Sequence, residues 1–419
     1  MVDQAIRQPG PVQGITLLLP ITMAVMGIVL LVPVLPEIMQ EFAGIAESRY
    51  LVQLGILTMP ALCVLVFSPL AGWLADRHGR RKPFMIAMLV YALMGIAPIF
   101  LKSIWSIIAS RVGVGICEAV IMTASTTMIS DYFKGRVRER WLASQTAVAS
   151  MSALALFQIS GRLGAAFGWR GPFAVYLFSL LLLVAVWLLT WEPARGSYPG
   201  HRQAGDAAEP CPGRKRHPMP WARLLSICAL TVFAAVMFYT YQTQSGLALD
   251  ALGVHDAARR GTAAMLASFG VPIGTFLFWA AARLPIAALL CLEYLLIGIT
   301  YLYMGHATAL QGFVVASFFN QLGCGLILPT MLTWATRGLA YEVCGRCTGW
   351  WQGSFAIGQF LSGGLVTLLA AWVGGLLPAF AALGMLCLVA AALAILAGAA
   401  WHSRPGPRSG TDAIPQDGQ

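Results

Sequence analysis

Long apolar runs, separated by short polar or charged breaks, follow one another along the chain of 419 residues. An α-helix needs about 20 apolar residues to cross the hydrocarbon core of a bilayer, and each run is long enough to do so. The pattern therefore predicts a membrane protein with about twelve transmembrane helices. The predicted spans are residues 15–39, 48–75, 84–101, 104–130, 140–167, 171–191, 223–247, 259–281, 285–305, 308–335, 345–371 and 375–400.

A polar segment rich in proline, glycine and charge divides the runs into two sets of six. It contains too few apolar residues to form a core of its own, and it reads as a flexible linker. The sequence after the last run has the same character. The predicted organisation is an N-terminal six-helix bundle over 1–191, a cytoplasmic linker over 192–222, a C-terminal six-helix bundle over 223–400 and a disordered cytoplasmic tail over 401–419.

The overall composition excludes several classes of protein. Apolar residues make up 58% of the chain and charged residues only 11%, whereas soluble domains contain roughly 45–50% and about 25%. A soluble enzyme, a disordered chain and a nucleic-acid-binding domain are all excluded. We expect an all-α membrane protein.

The formal net charge of +10 reports on orientation in the membrane. If the amino terminus is placed inside, twenty of the 27 Lys and Arg residues lie in inner segments and five in outer loops. Excess Lys and Arg mark cytoplasmic loops. Both termini and the linker are therefore predicted to be cytoplasmic, and the charge requires no nucleic-acid partner.

The most specific motif joins the second and third spans and reads Ala-Gly-Trp-Leu-Ala-Asp-Arg-His-Gly-Arg-Arg-Lys over residues 71–82. Gly72 removes a side chain where helices are expected to approach closely. Asp76 can accept hydrogen bonds from a helix amino terminus, and Gly79 permits a tight reversal. The simpler alternative is a basic anchor that only fixes orientation.

This loop resembles the signature loop of the major facilitator superfamily. Arg111 and Gly115 in the fourth span, Asp131 at its inner end, and Gly168-Trp169-Arg170 strengthen the resemblance. The resemblance implies two six-helix bundles related by a pseudo-two-fold axis along the membrane normal, with a substrate site between them near the midplane. It also implies a functional monomer in the cytoplasmic (inner) membrane of a bacterium.

The resemblance further implies a conformational latch. In the outward-open state, Asp76, Arg80 and Asp131 would form a charge cluster that holds the second span against the start of the eleventh, with Gly72 and Gly79 shaping the loop. The matching loop of the second half keeps only Arg283 and lacks the acid and the glycines. We therefore expect a latch in one half only.

Arg111 and Glu118 place two charges inside the fourth span, where a charge costs about 3 kcal/mol or more and usually faces a cavity. They lie seven residues apart and project from one helix face. One interpretation is that Glu118 binds a transported proton and Arg111 modulates it. The alternative is a buried ion pair that only fixes packing. For Glu293, in a span that the resemblance makes peripheral, structural pairing or snorkelling is favoured.

Other polar and adaptable side chains lie near the level where a substrate would sit. For the polar ones, hydrogen bonding between helices is the competing interpretation, at about 0.6 kcal/mol each. The substrate-pocket candidates are Met26, Met122, Tyr239, Gln242, Asn320 and Gln321.

The chain contains no Gly-rich loop ending in Gly-Lys-Ser or Gly-Lys-Thr and no Gly-Xaa-Ser-Xaa-Gly elbow. Cys344 and Cys347 form a lone Cys-Gly-Arg-Cys, but no second pair or nearby His completes a four-ligand metal site. We therefore expect no ATP site, no catalytic metal, no cofactor and no enzymatic activity. The nine cysteines imply no disulfide framework.

The sequence thus predicts a secondary transporter that moves a small organic solute by alternating access, coupled to protons through Glu118. Export is favoured over the alternative of an uptake permease for a nutrient or siderophore-like solute. Another alternative is a transport-inactive sensor or assembly factor. The partners expected are the solute, protons and the lipid bilayer.

If the linker is only a tether, its sequence matters little. Replacing residues 196–214 by a Gly/Ser segment of equal length should leave transport largely intact. Solute transport and membrane yield, measured together, check this. Loss of transport at unchanged yield would reveal a specific role for the segment.

Overall fold

The computed structural model describes residues 9–192, 221–281, 283–336 and 341–402. Within these ranges, the side chains of Asp76 and of residues 336, 341–346 and 397–402 fall outside the description. Most of the predicted linker and tail also lie outside the described residues, so the predictions about them remain predictions.

The described part of the chain contains twelve helical spans that are long and apolar enough to cross a membrane. We number them 1 to 12 in chain order. The helices of the first half are Pro11–Leu18, Ile21–Val29 and Leu35–Glu41 in span 1, Ser48–Tyr50, Leu51–Thr58 and Met59–His78 in span 2, Arg81–Ile96 in span 3, Ile104–Tyr132 in span 4, Gly135–Phe167 in span 5, and Gly171–Leu177 and Phe178–Leu189 in span 6. Those of the second half are Trp221–Ala251 in span 7, Ala257–Ser268 and Gly270–Ala281 in span 8, Ile286–Gly305 in span 9, Leu310–Thr336 in span 10, Tyr341–Val373 in span 11 and Leu376–His402 in span 12.

The six spans of each half surround their own apolar core. The two bundles are related by a pseudo-two-fold axis, and equivalent contacts recur. The hydroxyl of Tyr91 in span 3 donates to the Met23 carbonyl in span 1 over 2.7 Å, and that of Tyr301 in span 9 donates to the Met237 carbonyl in span 7 over 2.7 Å. The predicted fold class is confirmed.

Large apolar side chains cover the outside of the bundles. Trp279 and Trp372 are 80% and 82% exposed, which a soluble monomer would rarely tolerate in number. Lipid is the environment in which such side chains are stable, so the exterior agrees with the hydropathy of the spans.

Spans 1 and 7 begin on the same side of the molecule, which we call the terminus side; the opposite side is the loop side. The two halves pack tightly on the loop side, largely through glycine. A Cβ built at Gly246 in span 7 would collide with the carbonyl oxygen of Val32 in span 1, and Gly161 of span 5 lies against Gly261 of span 8. The loop side is therefore closed.

A π-helical segment of span 2, Leu51–Thr58, also contacts the second half. The Gln53 amide donates to the side-chain oxygen of Gln244 over 3.2 Å, and the Thr58 hydroxyl lies 3.0 Å from the Phe360 carbonyl oxygen. Segments of this kind often mark functional sites. Here the wider turn presents polar groups to spans 7 and 11.

Toward the terminus side, Gly72 of span 2 and Gly349 of span 11 both stand in open space, with no heavy atom within 4 Å of a built Cβ. The expectation of a close helix approach at Gly72 is therefore wrong for this conformation. The closest backbone contacts between the halves lie on the loop side, whereas no described residue approaches within 4 Å of a Cβ built at Gly72.

The packing predicts unequal effects of two glycine substitutions. Gly246→Ala should lower the free energy of unfolding by about 1–3 kcal/mol, the usual cost of overpacking, because the new methyl group meets the backbone of Val32. Gly72→Ala should cause no loss. Thermal unfolding of the purified proteins in detergent checks this, and equal midpoints for the two variants would contradict the packing described.

Candidate functional site

Arg111 is completely buried in span 4 and is held by aromatic side chains of span 6 and the turn before it. Its Nη2 donates to the Tyr176 hydroxyl over 2.6 Å. The guanidinium carbon lies 5.1 Å from the Tyr176 ring centroid and 5.9 Å from that of Phe173. A cation over a ring face is stabilised by the ring quadrupole, and more strongly when it is desolvated.

A second tyrosine extends this cluster to spans 1 and 3. The rings of Tyr91 and Tyr176 lie 5.2 Å apart, and Tyr91 is anchored to the Met23 carbonyl. Arg111 Nε and Nη1 are buried without a hydrogen-bond partner. The cluster therefore fixes the position of the cation while satisfying only part of its donor capacity.

Glu118 lies two turns further along span 4 and is 7% exposed. Its Oε2 atom is buried without a hydrogen-bond partner, and it would lie 3.5 Å from a Cβ built at Gly27 in span 1. Gly115, one turn earlier, packs directly against Pro60 of span 2. Small residues thus surround a carboxyl group that the first half does not pair.

The charge on Glu118 also interacts electrostatically with Tyr239 of span 7. Tyr239 packs against the apolar cores of both halves. Tyr239 therefore lies where the two bundles meet, which is where the resemblance placed the substrate site.

Within the described residues, no ion pair joins Arg111 to Glu118. Seven residues of α-helix advance the chain by about 10.5 Å, and Arg111 turns instead toward Tyr176. The two residues therefore form no direct ion pair in this conformation, and the alternative that the two charges only fix packing stays open. Glu118 does not serve as the contacting counter-ion of Arg111.

The amide candidates of the second half form a chain of hydrogen bonds. Gln242 donates to Gln321 over 2.8 Å, Gln321 donates to Asn320 over 3.4 Å, and Asn320 donates to Thr300 of span 9 over 3.2 Å. This is the hydrogen bonding between helices that the sequence left open. The Oε1 atom of Gln242 remains unpaired, so this series of hydrogen bonds ends at span 7 with one unpaired acceptor.

The two methionine candidates differ in burial. Met26 is fully buried in the core of the first half, whereas Met122 is half-buried. To line a substrate pocket, the side chain of Met122 would therefore have to move less than that of Met26.

The position of Glu293 differs from the expectation that it pairs structurally with another residue or snorkels toward the headgroups. It is fully buried, and its Oε1 accepts a hydrogen bond from the Thr330 hydroxyl of span 10 over 2.5 Å. Its Oε2 has no partner, and among the described residues no cation pairs with it. The cause is the position of span 9, whose Glu293 face packs inside the bundle rather than toward the lipid headgroups.

The structure brings two of the latch residues together. Arg80 forms an ion pair with Asp131, and its Nη1 also donates to the Thr127 carbonyl over 2.9 Å. Gly79 has φ +85°, a conformation that favours glycine, so the predicted tight reversal is confirmed. The side chain of Asp76 lies outside the described residues, and its place in the latch stays a prediction.

Glu192, at the end of span 6, is a residue that the sequence analysis missed. Its carboxylate accepts from the backbone N–H groups of Arg80 and Arg81 over 2.7 and 2.8 Å. A carboxylate at a helix amino terminus satisfies unpaired N–H groups and complements the helix dipole. Sequence reasoning assigned that role to Asp76 because no local pattern links residue 192 to residue 80.

A second missed cluster lies on the loop side. Arg260 of span 8 is one of the five Lys and Arg residues that the charge count places in outer loops, but it is 1% exposed and binds Glu37 of span 1 and Asp250 of span 7. The basic pair Arg259-Arg260 following Asp250 was a signal that the sequence contained. The sequence did not show that Glu37, 223 positions earlier, is an acidic partner of Arg260.

Comparison with known proteins gives the family. A sequence profile described as Major Facilitator Superfamily matches residues 17–343. The chain is similar to the tetracycline resistance protein of class C from Escherichia coli, with 31% identity over 227 residues that span 51% of this chain and 52% of that protein. It is also similar to the niacin transporter NiaP from Acinetobacter baylyi, with 27% identity over 32% of this chain and 31% of that one. The chain therefore matches only about half, or less, of the length of these relatives.

The fold has solved counterparts as well. A bacterial homologue of the human lysosomal transporter Spinster, in an inward-facing and unoccupied conformation, superimposes with a TM-score of 0.76 over 94% of this chain and 98% of that chain, at 16% sequence identity. At that identity the likeness concerns the fold alone.

The Arg111 cluster predicts an order of stabilities among three tyrosine variants. Tyr176→Phe removes the hydroxyl that accepts from a buried cation, and should cost about 1.5–3 kcal/mol. Tyr91→Phe and Tyr301→Phe remove equivalent neutral hydrogen bonds and should cost about 0.5–1.5 kcal/mol each. Thermal or denaturant unfolding in detergent gives the order, and a Tyr176→Phe variant no less stable than Tyr301→Phe would contradict it.

Proposed function

The chain belongs to the major facilitator superfamily, and from that premise we propose that it exports a small organic solute by alternating access in exchange for protons. As a member of that family it is an integral membrane transporter and not an enzyme. The proposed location is the inner membrane of a bacterium, with the terminus side cytoplasmic and one chain as the functional unit.

Glu118 carries the proposal of proton coupling. It is buried near the middle of a span, one of its oxygens has no hydrogen-bond partner, and its charge acts on Tyr239, which packs against the cores of both halves. A buried carboxyl group without a partner is far less costly when neutral than when ionised. Binding and release of a proton at Glu118 therefore change the energy of the interface between the halves.

The arrangement of the halves supports alternating access. Their close contact on the loop side leaves one face sealed in this conformation. In the proposed cycle, the Arg80 and Asp131 latch acts in the opposite conformation, when the terminus side is closed and the loop side open. Its ion pair is partly buried at 11% and 12% exposure, so it is sheltered from solvent in this conformation too.

Similarity to a tetracycline resistance protein favours export, and tetracycline is the first solute to test. The second candidate function is uptake of a nutrient. The similarity to a niacin transporter favours it. So does span 5, which lacks the Gly-Pro pair that drug exporters of this superfamily usually carry there. In this chain, Gly171-Pro172 comes after that span. A transport-inactive sensor or assembly factor is the third candidate function.

Glu118→Gln should separate two activities. The amide keeps the size of the side chain but stays neutral and cannot alternately bind and release a proton, so counterflow of solute should survive while accumulation driven by a proton gradient is lost. Everted vesicles with tetracycline or nicotinate as probe allow both measurements. Glu293→Gln is the matched control, because it removes the other fully buried carboxyl group and should leave accumulation intact.

Retained accumulation in Glu118→Gln would remove Glu118 as the coupling site. Gradient-driven flux out of the cell supports the exporter and flux into the cell supports the permease. Dissipation of a pH gradient on adding a probe identifies that probe as an exchanged solute. Failure of a broad panel of organic solutes to move at all would favour the sensor.

A further inference from the structure

Arg260 lies at the junction of the two halves, near the loop side. Its Nη2 forms an ion pair with Glu37 Oε1, and its Nη1 lies 3.1 Å from Asp250 Oδ1. Glu37 belongs to span 1 of the first half, whereas Asp250 and Arg260 both belong to the second half. One buried cation is therefore shared by two acids, and only one of the two bonds crosses between the halves.

The two acids have different consequences for opening. When the halves separate on the loop side, the bond from Arg260 to Glu37 must break, but the bond to Asp250 moves with the second half. Removing every partner of a buried charge is strongly destabilising. Asp250 thus serves as the permanent counter-ion of Arg260, and Glu37 as the removable one.

Solvent reaches this cluster. A cavity of about 510 Å³ lies between the halves on the loop side and is lined by Pro36, Gln40 and Asp250 among others. The Glu37 side chain, between Pro36 and Gln40 in sequence, is 32% exposed. Its Oε2 atom is buried and has no hydrogen-bond partner, so a proton added there displaces no existing hydrogen bond.

We propose that Glu37 is a proton-binding site that controls closure of the loop side. A proton from solvent on the loop side adds to the Glu37 carboxylate and gives a neutral carboxylic acid. The charge that attracts Arg260 across the junction is then lost, while Arg260 keeps Asp250. Protons therefore favour the open loop side, because the closed state requires Glu37 to be ionised.

The surroundings contain the other groups that bear on this charge. His255 Nδ1 lies 2.9 Å from Asp250 Oδ1, and Arg49 lines the same cavity. On the first half, Glu41 pairs with Arg170 over 3.4 Å. That pair lies within one half, so its loss should not affect opening.

Opening can be measured without a solute. A cysteine is placed at Ala264 of span 8, which is 1% exposed and buried in the core of the first half, in a chain whose nine native cysteines are replaced. A membrane-impermeant thiol reagent is added on the loop side. Glu37→Gln should raise the labelling rate about fivefold or more, the factor given by about 1 kcal/mol for a partly exposed ion pair.

Three comparisons make the result specific. Glu41→Gln should leave the rate unchanged. Asp250→Asn should lower it or leave it unchanged, because separation would then leave Arg260 without any acid. Lowering the pH on the loop side should speed labelling of the parent chain but not of Glu37→Gln. Folded yield from size-exclusion chromatography is recorded for every variant.

Equal labelling of Glu37→Gln and Glu41→Gln would overturn the proposal, as would a faster rate in Asp250→Asn or an unchanged pH response in Glu37→Gln. The role of the site in exchange rests on the proposed function, but the labelling test does not. If Glu118→Gln keeps proton-driven accumulation while Glu37→Gln labels faster, the coupling proposal fails and the gate stands. If Glu118→Gln loses proton-driven accumulation while Glu37→Gln labels no faster than Glu41→Gln, only the gate proposal is rejected.

Discussion

Hydrocarbon offers no partner to a charged or polar group, so every charge within the spans has to find its counterpart inside the protein. Arg111 finds it in a tyrosine hydroxyl and two ring faces, and Arg260 in two carboxylates. The two cations tie helices together although Arg111 Nε and Nη1 and Arg260 Nε stay unpaired, and the carboxyl groups of Glu118 and Glu293 each keep one buried oxygen without a partner.

The two halves repeat one packing scheme with different chemistry. Tyr91 and Tyr301 make the same bond to a methionine carbonyl in the first span of their half. The ring beside Tyr91 is Tyr176, at 5.2 Å, and the ring beside Tyr301 is Phe380, at 5.5 Å. Of these two side chains, only the tyrosine has a hydroxyl oxygen that can accept a hydrogen bond from a cation. The aromatic pair therefore supports an arginine in the first half and makes an apolar ring contact in the second.

The junction on the loop side combines close backbone contacts with polar and charged pairs. Glycines let backbones approach without interlocking side chains, as at Gly246 and Val32. Polar and charged groups supply much of the remaining contact, including Gln53 with Gln244 and Glu37 with Arg260. In the proposed cycle, water would replace such bonds when the halves part, so opening would cost less than exposing an interdigitated apolar surface.

Hydropathy, charge counts and one family loop were enough to predict twelve spans in two sets of six, the tight turn at Gly79 and the contact of Arg80 with Asp131. These features depend on local sequence or on a motif that the chain retains. The sequence also showed that Arg111 and Glu118 are buried charges. It could not show that Arg111 turns to Tyr176, that Glu192 caps span 3, that Arg260 bridges to Glu37, or that the space beside Gly72 is open. Each of these depends on spans far apart in the chain, and the hydropathy of a span does not specify which neighbour its polar face meets. The tertiary packing of the two halves made that choice, because a buried polar group is stable only where a distant span supplies its partner.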